Sequence, residues 1–417
     1  MTHAANGPAR PAKRRRAKIT EPKSKRVPPQ RPAARDAAKR IRRADAARAK
    51  PRRPKASDLE SFFVPPKLPA PKDAAMRIRG ADPAYARRLA ALGLIHCQTP
   101  AWEAVRKLFL PAVAAVNASS YASGIREGAL IAILGASHSG KTHILRRLSW
   151  HIHLQQQAGA AGLYRPLAKV KARAPSTMKG LGEDILTELR RRNNAPVQAR
   201  NLSHRTAGDI WTEVRALLQA YGVSILIIDE VHNVLVRDGA KDYEATAAAI
   251  KSLVIDDEWP MTVVLAGTQE KTGRLIDNSE ELSQRAERVV IEPIVKGDAK
   301  EIRAFVAEIE AQLDLPQRSG LAEGDRPFRF WLASRGHRGR IAKLIYRAAE
   351  KAYIKALPRL DDALLANVLT RRYGVIDAVN PFLIATLDNA QPIPDRVWRP
   401  DGDDDPPLKG NGRGRRR

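Results

Sequence analysis

The chain has 417 residues, 73 lysines and arginines against 45 aspartates and glutamates, and a formal net charge of +28. With 43% hydrophobic residues it can bury a sizeable core, which excludes wholesale disorder, and no run of 18 or more apolar residues offers a membrane span. A single cysteine, Cys97, excludes an internal disulfide framework and a cysteine-based zinc site; with no signal-peptide stretch at the basic N-terminus, this points to a cytoplasmic setting. The positive excess calls for a polyanionic partner, most often nucleic acid.

That length allows two or three domains. Residues 1–58 read as a disordered basic arm. The first 56 residues hold twenty basic and three acidic side chains, eight prolines and no aromatic residue, too little apolar area to offset their ordering entropy. Such an arm suits a DNA tether acting through phosphate neutralisation, or else a solubilising extension. Residues 59–118 form a segment with helices predicted over 82–94 and 100–117. Across 119–295, apolar strands at 129–134, 163–170, 223–228, 261–266 and 288–292 alternate with helices at 141–157, 177–193, 207–221, 242–257 and 270–277. Strands apolar on both faces that alternate with helices predict an α/β domain, a parallel five-stranded sheet covered on both sides. From 296 to 382 only helices are predicted, at 298–313, 326–335, 338–356 and 360–373, forming a lid. The Pro/Asp/Gly-rich segment 383–417 reads as a flexible tail.

Two motifs carry chemistry. Gly135-Ala136-Ser137-His138-Ser139-Gly140-Lys141-Thr142 fits G-x-x-x-x-G-K-[ST] between a strand and a helix. Its glycines permit a tight turn whose amides point at phosphate oxygens, Lys141 reaches the terminal phosphates of ATP, and Thr142 ligates Mg²⁺. His138 occupies a variable position and is expected to face solvent or a neighbouring subunit. The second motif is Ile225-Leu226-Ile227-Ile228-Asp229-Glu230. A buried strand ending in two acids is costly without partners. Magnesium suits Asp229, and Glu230 is placed to polarise a water; the alternative is that both cap the next helix.

In order, GASHSGKT, ILIIDEVHNVL, VVLAGTQE, SQRAERVV and SRGHRGRIAKLIYRAAEKA resemble the motif set of a P-loop AAA+ ATPase over residues 60–382. Asp229-Glu230-Val231-His232-Asn233, Ala266-Gly267-Thr268, the Gly336…Gly339 helix start and Asn380-Pro381-Phe382 narrow the resemblance to the TniB/TnsC transposition ATPases. The resemblance implies that Thr268 reads the γ-phosphate and positions the water. It implies that Arg285, with Arg288 as competitor, is a finger completing a neighbouring subunit's site, and hence a ring or helical homo-oligomer. Where many relatives carry a lid arginine this chain has Gly339, between Arg338 and Arg340, and where a Phe usually follows the finger it has Ala286. Lys171, Arg173 and Lys179 lie where similar proteins face double-stranded DNA, or else on a solvated charged loop.

The implied function is an ATP-dependent DNA-binding regulator that assembles on target DNA and recruits a TniA-like DDE transposase and a TniQ-like targeting protein. A replication initiator or helicase loader, and an ATP-switched scaffold with little hydrolysis, are the alternatives. The chain shows no recombinase triad of its own.

Overall fold

The computed structural model describes residues 63–68, 83–118, 128–151, 154, 157–159, 162–164, 166–192, 204–235, 240–256 and 258–398. The basic arm 1–58 and residues 399–417 of the expected tail lie outside them.

Helices α1 (Pro83–Leu92) and α2 (Pro100–Ala118) lead to strand β1 (Leu130–Gly135) and helix α3 (Lys141–Leu148). A hairpin of β2 (Gln157–Gly159) and β3 (Gly162–Tyr164) precedes β4 (Leu167–Lys171), α4 (Met178–Arg192) and α5 (Ala207–Ala220). Then come β5 (Ile225–Asp229), a 3₁₀ turn at Val231–Val234, α6 (Ala240–Val254), β6 (Thr262–Gly267), α7 (Gln269–Asp277), α8 (Glu280–Arg285) and β7 (Ala286–Ile291). The lid is α9 (Ala299–Glu310), α10 (Arg326–Ser334), α11 (Arg338–Ile354) and α12 (Asp362–Tyr373).

The main sheet has the order β4-β5-β6-β1-β7, every pair parallel. Its strands are buried on both faces because alternate residues enter different cores. Leu130, Ala132, Leu134, Leu226 and Ile228 pack with the residues of α4 to α7, whereas Ile131, Ile133, Ile225 and Ile227 pack with those of α2 and α3. A third core fills the lid and takes in Leu92 and Ile95, so α1 and the turn after it are seated on the lid. This is a parallel sheet covered by helices on both faces, with a helical lid at its C-terminal side. Among the described residues no helix is long and apolar enough to cross a membrane.

Three expectations need correction. The helix read at 141–157 stops at Leu148, where the Ser149 hydroxyl donates to the Arg146 carbonyl and Phe63 bridges to His151. The strand read at 163–170 is split by Pro166. With no N–H to give the ladder, Pro166 separates the hairpin from β4, and its carbonyl accepts from the Ser224 and Ile225 amides. The tail does not begin at 383: Ile393 and Trp398 are buried in the lid core, and Trp398 Nε1 donates to the Ala333 carbonyl at 3.0 Å. The burial of two apolar side chains ties down a segment whose prolines and acids suggested a free end.

Candidate functional site

β1 runs wholly buried into Gly135, and the loop that follows turns into α3 at Gly140, whose φ of 110° suits only glycine. Lys141 is buried, and its Nζ donates to the Gly135 and Ala136 carbonyls at 2.9 and 2.7 Å. Burial holds this ammonium below the ordinary lysine value, against the pull of the Glu230 and Asp229 carboxylates. The Ser139 hydroxyl is buried without a hydrogen-bond partner, while Ala136, Ser137 and Thr142 are exposed.

His138 departs from expectation. It is half-buried with φ of 60°, lies beneath the lid of its own chain, and its ring is 6.4 Å from that of Trp398. The cover is close because of Gly339. A Cβ there would stand 2.1 Å from the His138 carbonyl oxygen and 3.1 Å from the Gly140 nitrogen. The position where the resemblance leads one to expect a lid arginine is therefore one where this chain needs the absence of a side chain. Gly336 serves the same joint: its φ is 76°, and a Cβ would meet the Ile294 carbonyl at 2.0 Å.

The order of the sheet puts β6 between β1 and β5, so the C-terminal ends of all three converge on the loop. Asp229 is 1% exposed, and its Oδ1 accepts from the Glu230 amide at 3.0 Å. Glu230 adopts φ 57°, ψ 36°, a left-handed conformation costly for a non-glycine residue and concentrated at functional sites. It does not cap a helix through its side chain; its Oε2 is 3.2 Å from His232 Nε2. Thr268 follows β6 directly, and its hydroxyl is buried without a partner. A buried lysine, a buried aspartate and two partnerless hydroxyls suit a ligand rich in anionic oxygens together with a divalent cation. Asp229 and Thr142 are the side chains there that could offer oxygen to such a cation.

Arg285 stands at the other end of the sheet. Ala286 pairs with Leu130, five residues before Gly135, which puts Arg285 about 16 Å from its own loop. Its guanidinium makes a 3.5 Å contact with the Glu281 carbonyl, whereas Arg288 is pinned to Asp277 at 2.6 Å. Lys171 is exposed at the end of β4, in register with Asp229, and lines the cleft. Arg173 is held by Glu183 at 3.1 Å and Asp184 at 2.6 Å. Lys179 lies half-buried in the first turn of α4.

A cleft of about 1120 Å³ extends from the loop between α1, α2, α3 and α11, and its far end is lined by Leu92, His96, Trp102 and Tyr346. There Arg146, which can only donate, bonds His143 Nδ1 at 3.0 Å. Burial, with Arg146 and Lys169 nearby, holds His143 at about 4, so it is neutral and turns Nε2–H toward His96 Nδ1, 3.4 Å away. Cys97 is no nucleophile, because burial and Glu308 push its thiol up to about 12. Sequence reasoning passed over this end of the cleft. Its side chains come from segments some 250 residues apart, and no local pattern marks them. Arg338 also lines the cleft, but it is bonded to the Glu292 carbonyl at 2.8 Å and to Glu301.

Residues 121–296 match the family model described as "Bacterial TniB protein", a match spanning less than half of the chain. No curated protein matches. Among solved structures, the ORC1 protein of Aeropyrum pernix in complex with DNA is 19% identical, with 66% of each chain covered and a TM-score of 0.46. Cdc6p of Pyrobaculum aerophilum is 14% identical, with 66% of this chain and 67% of that chain covered and a TM-score of 0.43. The Thermotoga maritima RuvB Holliday junction branch migration motor is 16% identical, with 68% and 71% covered and a TM-score of 0.36.

Proposed function

We propose that this protein, whose residues 121–296 match the TniB family model, is an ATP-hydrolysing, DNA-binding regulator of transposition. The observation that carries this is the convergence of Lys141, Asp229, Glu230 and Thr268 at one end of the sheet, with the Ser139 and Thr268 hydroxyls buried without partners. The loop amides and Lys141 hold the phosphates of ATP, and the His96–Trp102–Tyr346 end receives the base. Thr142 and Asp229 hold magnesium, which neutralises phosphate charge when bound. Glu230 orients the attacking water and takes its proton, and Thr268 fixes the water against the γ-phosphate. Arg285, remote from its own loop and loosely held, serves the site of a neighbouring subunit.

A site completed by a neighbour makes nucleotide the link between protomers. The protein forms a ring or helical filament on double-stranded DNA, held by phosphate contacts from the basic arm, Lys171 and Lys179. Arg173 is already neutralised by two carboxylates and contributes least. The assembly recruits a TniA-like DDE transposase and a TniQ-like targeting protein, and hydrolysis dissolves it.

The test is electron microscopy and sedimentation of the full chain on duplex DNA, with and without a non-hydrolysable ATP analogue. Assembly is expected only with the analogue. The Glu230→Gln variant is expected to bind ATP, lose hydrolysis a hundredfold or more, and stay assembled with ATP. Equal assembly without nucleotide overturns the reading, and normal turnover by Glu230→Gln removes Glu230 from its role.

A further inference from the structure

The turn after β5 holds a contact that the roles above leave unused. His232 sits in the 3₁₀ turn Val231–Val234, and its Nε2 faces Glu230 Oε2 at 3.2 Å. A carboxylate only accepts, so a bond between the two needs the hydrogen on Nε2. The ring is wedged in place from three directions. Val231 and Val234 are buried in the main core and stop the turn from rotating. Behind the ring lies Gly267 of β6, where a Cβ would stand 3.2 Å from both His232 Nδ1 and Val231 Cγ1, and 2.1 Å from the Thr272 hydroxyl oxygen. Only a residue without a side chain leaves the imidazole its place. On the far side Asn233 moors the turn: its Nδ2 donates to the Ala172 carbonyl at 3.1 Å, and its carbonyl accepts from the Ser176 amide at 3.0 Å.

Glu230 needs such a support. Its backbone is left-handed, and its carboxylate shares the cleft with the buried Lys141 ammonium, whose charge it stabilises. A carboxylate free to rotate would close on that ammonium, quenching the base and removing the lysine from phosphate. A neutral donor fixes the orientation without cancelling the charge.

We propose that His232 is the positioning residue of Glu230: its Nε2–H holds the carboxylate aimed into the cleft as a base and away from Lys141. This rests on the reading of Glu230 as the group that activates water, and the experiment separates the two. ATPase kinetics and nucleotide affinity are measured for the full chain and for the Glu230→Gln, His232→Leu and His232→Gln variants. Leucine fills the space without a donor, whereas the glutamine amide extends to about the Nε2 position. His232→Leu is expected to lower kcat ten- to fiftyfold with the Kd for an ATP analogue unchanged within twofold, and His232→Gln to recover kcat to within about threefold. If His232→Leu does not fold, His232→Asn replaces it, since its amide stops short of the carboxylate and is expected to be as slow. Unchanged kcat in the donorless variant, or equal slowness in His232→Gln, overturns the proposal. Normal turnover by Glu230→Gln instead sinks the reading of Glu230 beneath it.

Discussion

The sheet edge and the lid over it treat their charged groups differently. On the sheet edge, Lys141 is wrapped around the carbonyls of its own loop, the Ser139 and Thr268 hydroxyls are buried without partners, and Glu230 is held in a left-handed conformation. On the lid, guanidinium after guanidinium is tied off. Arg338 bonds Glu301, Arg340 and Arg335 share Asp395, Arg329 bonds Asp325, and Arg326 bonds Asp362. Groups buried without partners cost stability in the ligand-free chain, and a ligand that satisfies them returns it. On the proposed reading the sheet edge is the reactive wall, and the lid is a cover fitted closely enough to exclude side chains from the joint.

That closeness can be tested first at Gly339. In Gly339→Val the new side chain meets the His138 carbonyl and must lift the lid off the loop. The expected result is a loss of nucleotide affinity of a hundredfold or more, about 3 kcal/mol. A normal Kd in titration calorimetry would mean that the lid does not press on the loop.

Acid probes both walls together. His143 on the sheet side and His337 on the lid are each held at about 4, by burial first and then by Arg146 and Arg340 respectively. The unfolded chain takes up these protons near 6.5 and the folded chain does not, so their contribution is present above about 6.5 and is lost as the pH falls toward 4. For His143 the loss is on the order of 3 kcal/mol; for the more exposed His337 solvent screening makes it smaller. Urea unfolding at pH 7 and pH 4.5 measures it, and equal midpoints would show that these rings are not buried neutral.

The smallest effect is expected at the outer clasp of the lid. Burial raises the Asp395 carboxyl, but its hydrogen bond with Arg340 and the charges of Arg340, Arg335 and His337 leave it below its ordinary value. Asp395→Ala leaves Arg340, only 4% exposed, without this acid. It should lower stability by about 1–2 kcal/mol, with ATP affinity within a few-fold of the parent. A large fall in affinity would place the clasp in the binding machinery after all.

How legible each wall was follows from how local its cause is. The loop 135–142 and the strand 225–229 could be read directly, since a glycine-flanked turn and a run of buried apolar residues are properties of neighbours in the chain. Arg173 could not. The carboxylates that occupy it, Glu183 and Asp184, lie in the second turn of α4 and face it only after the loop at 172–177 has folded back. Trp398 stood in a proline- and acid-rich stretch that reads as a loose end, and its burial depends on a groove made by α10 and α12.

From residue order alone came the phosphate-binding turn, the acidic strand end, the alternation that forces a doubly covered parallel sheet, and the helical character of the lid. These rest on backbone dihedrals and burial periodicity, which act over a few residues. Folding in three dimensions added what no local rule contains: the seat of Gly339 on the loop, the occupation of Arg338 and Arg173 by acids, the remote end of the cleft, and the ring of His232 against Glu230. Each depends on which polar group finds a partner, and partners are assigned by long-range packing.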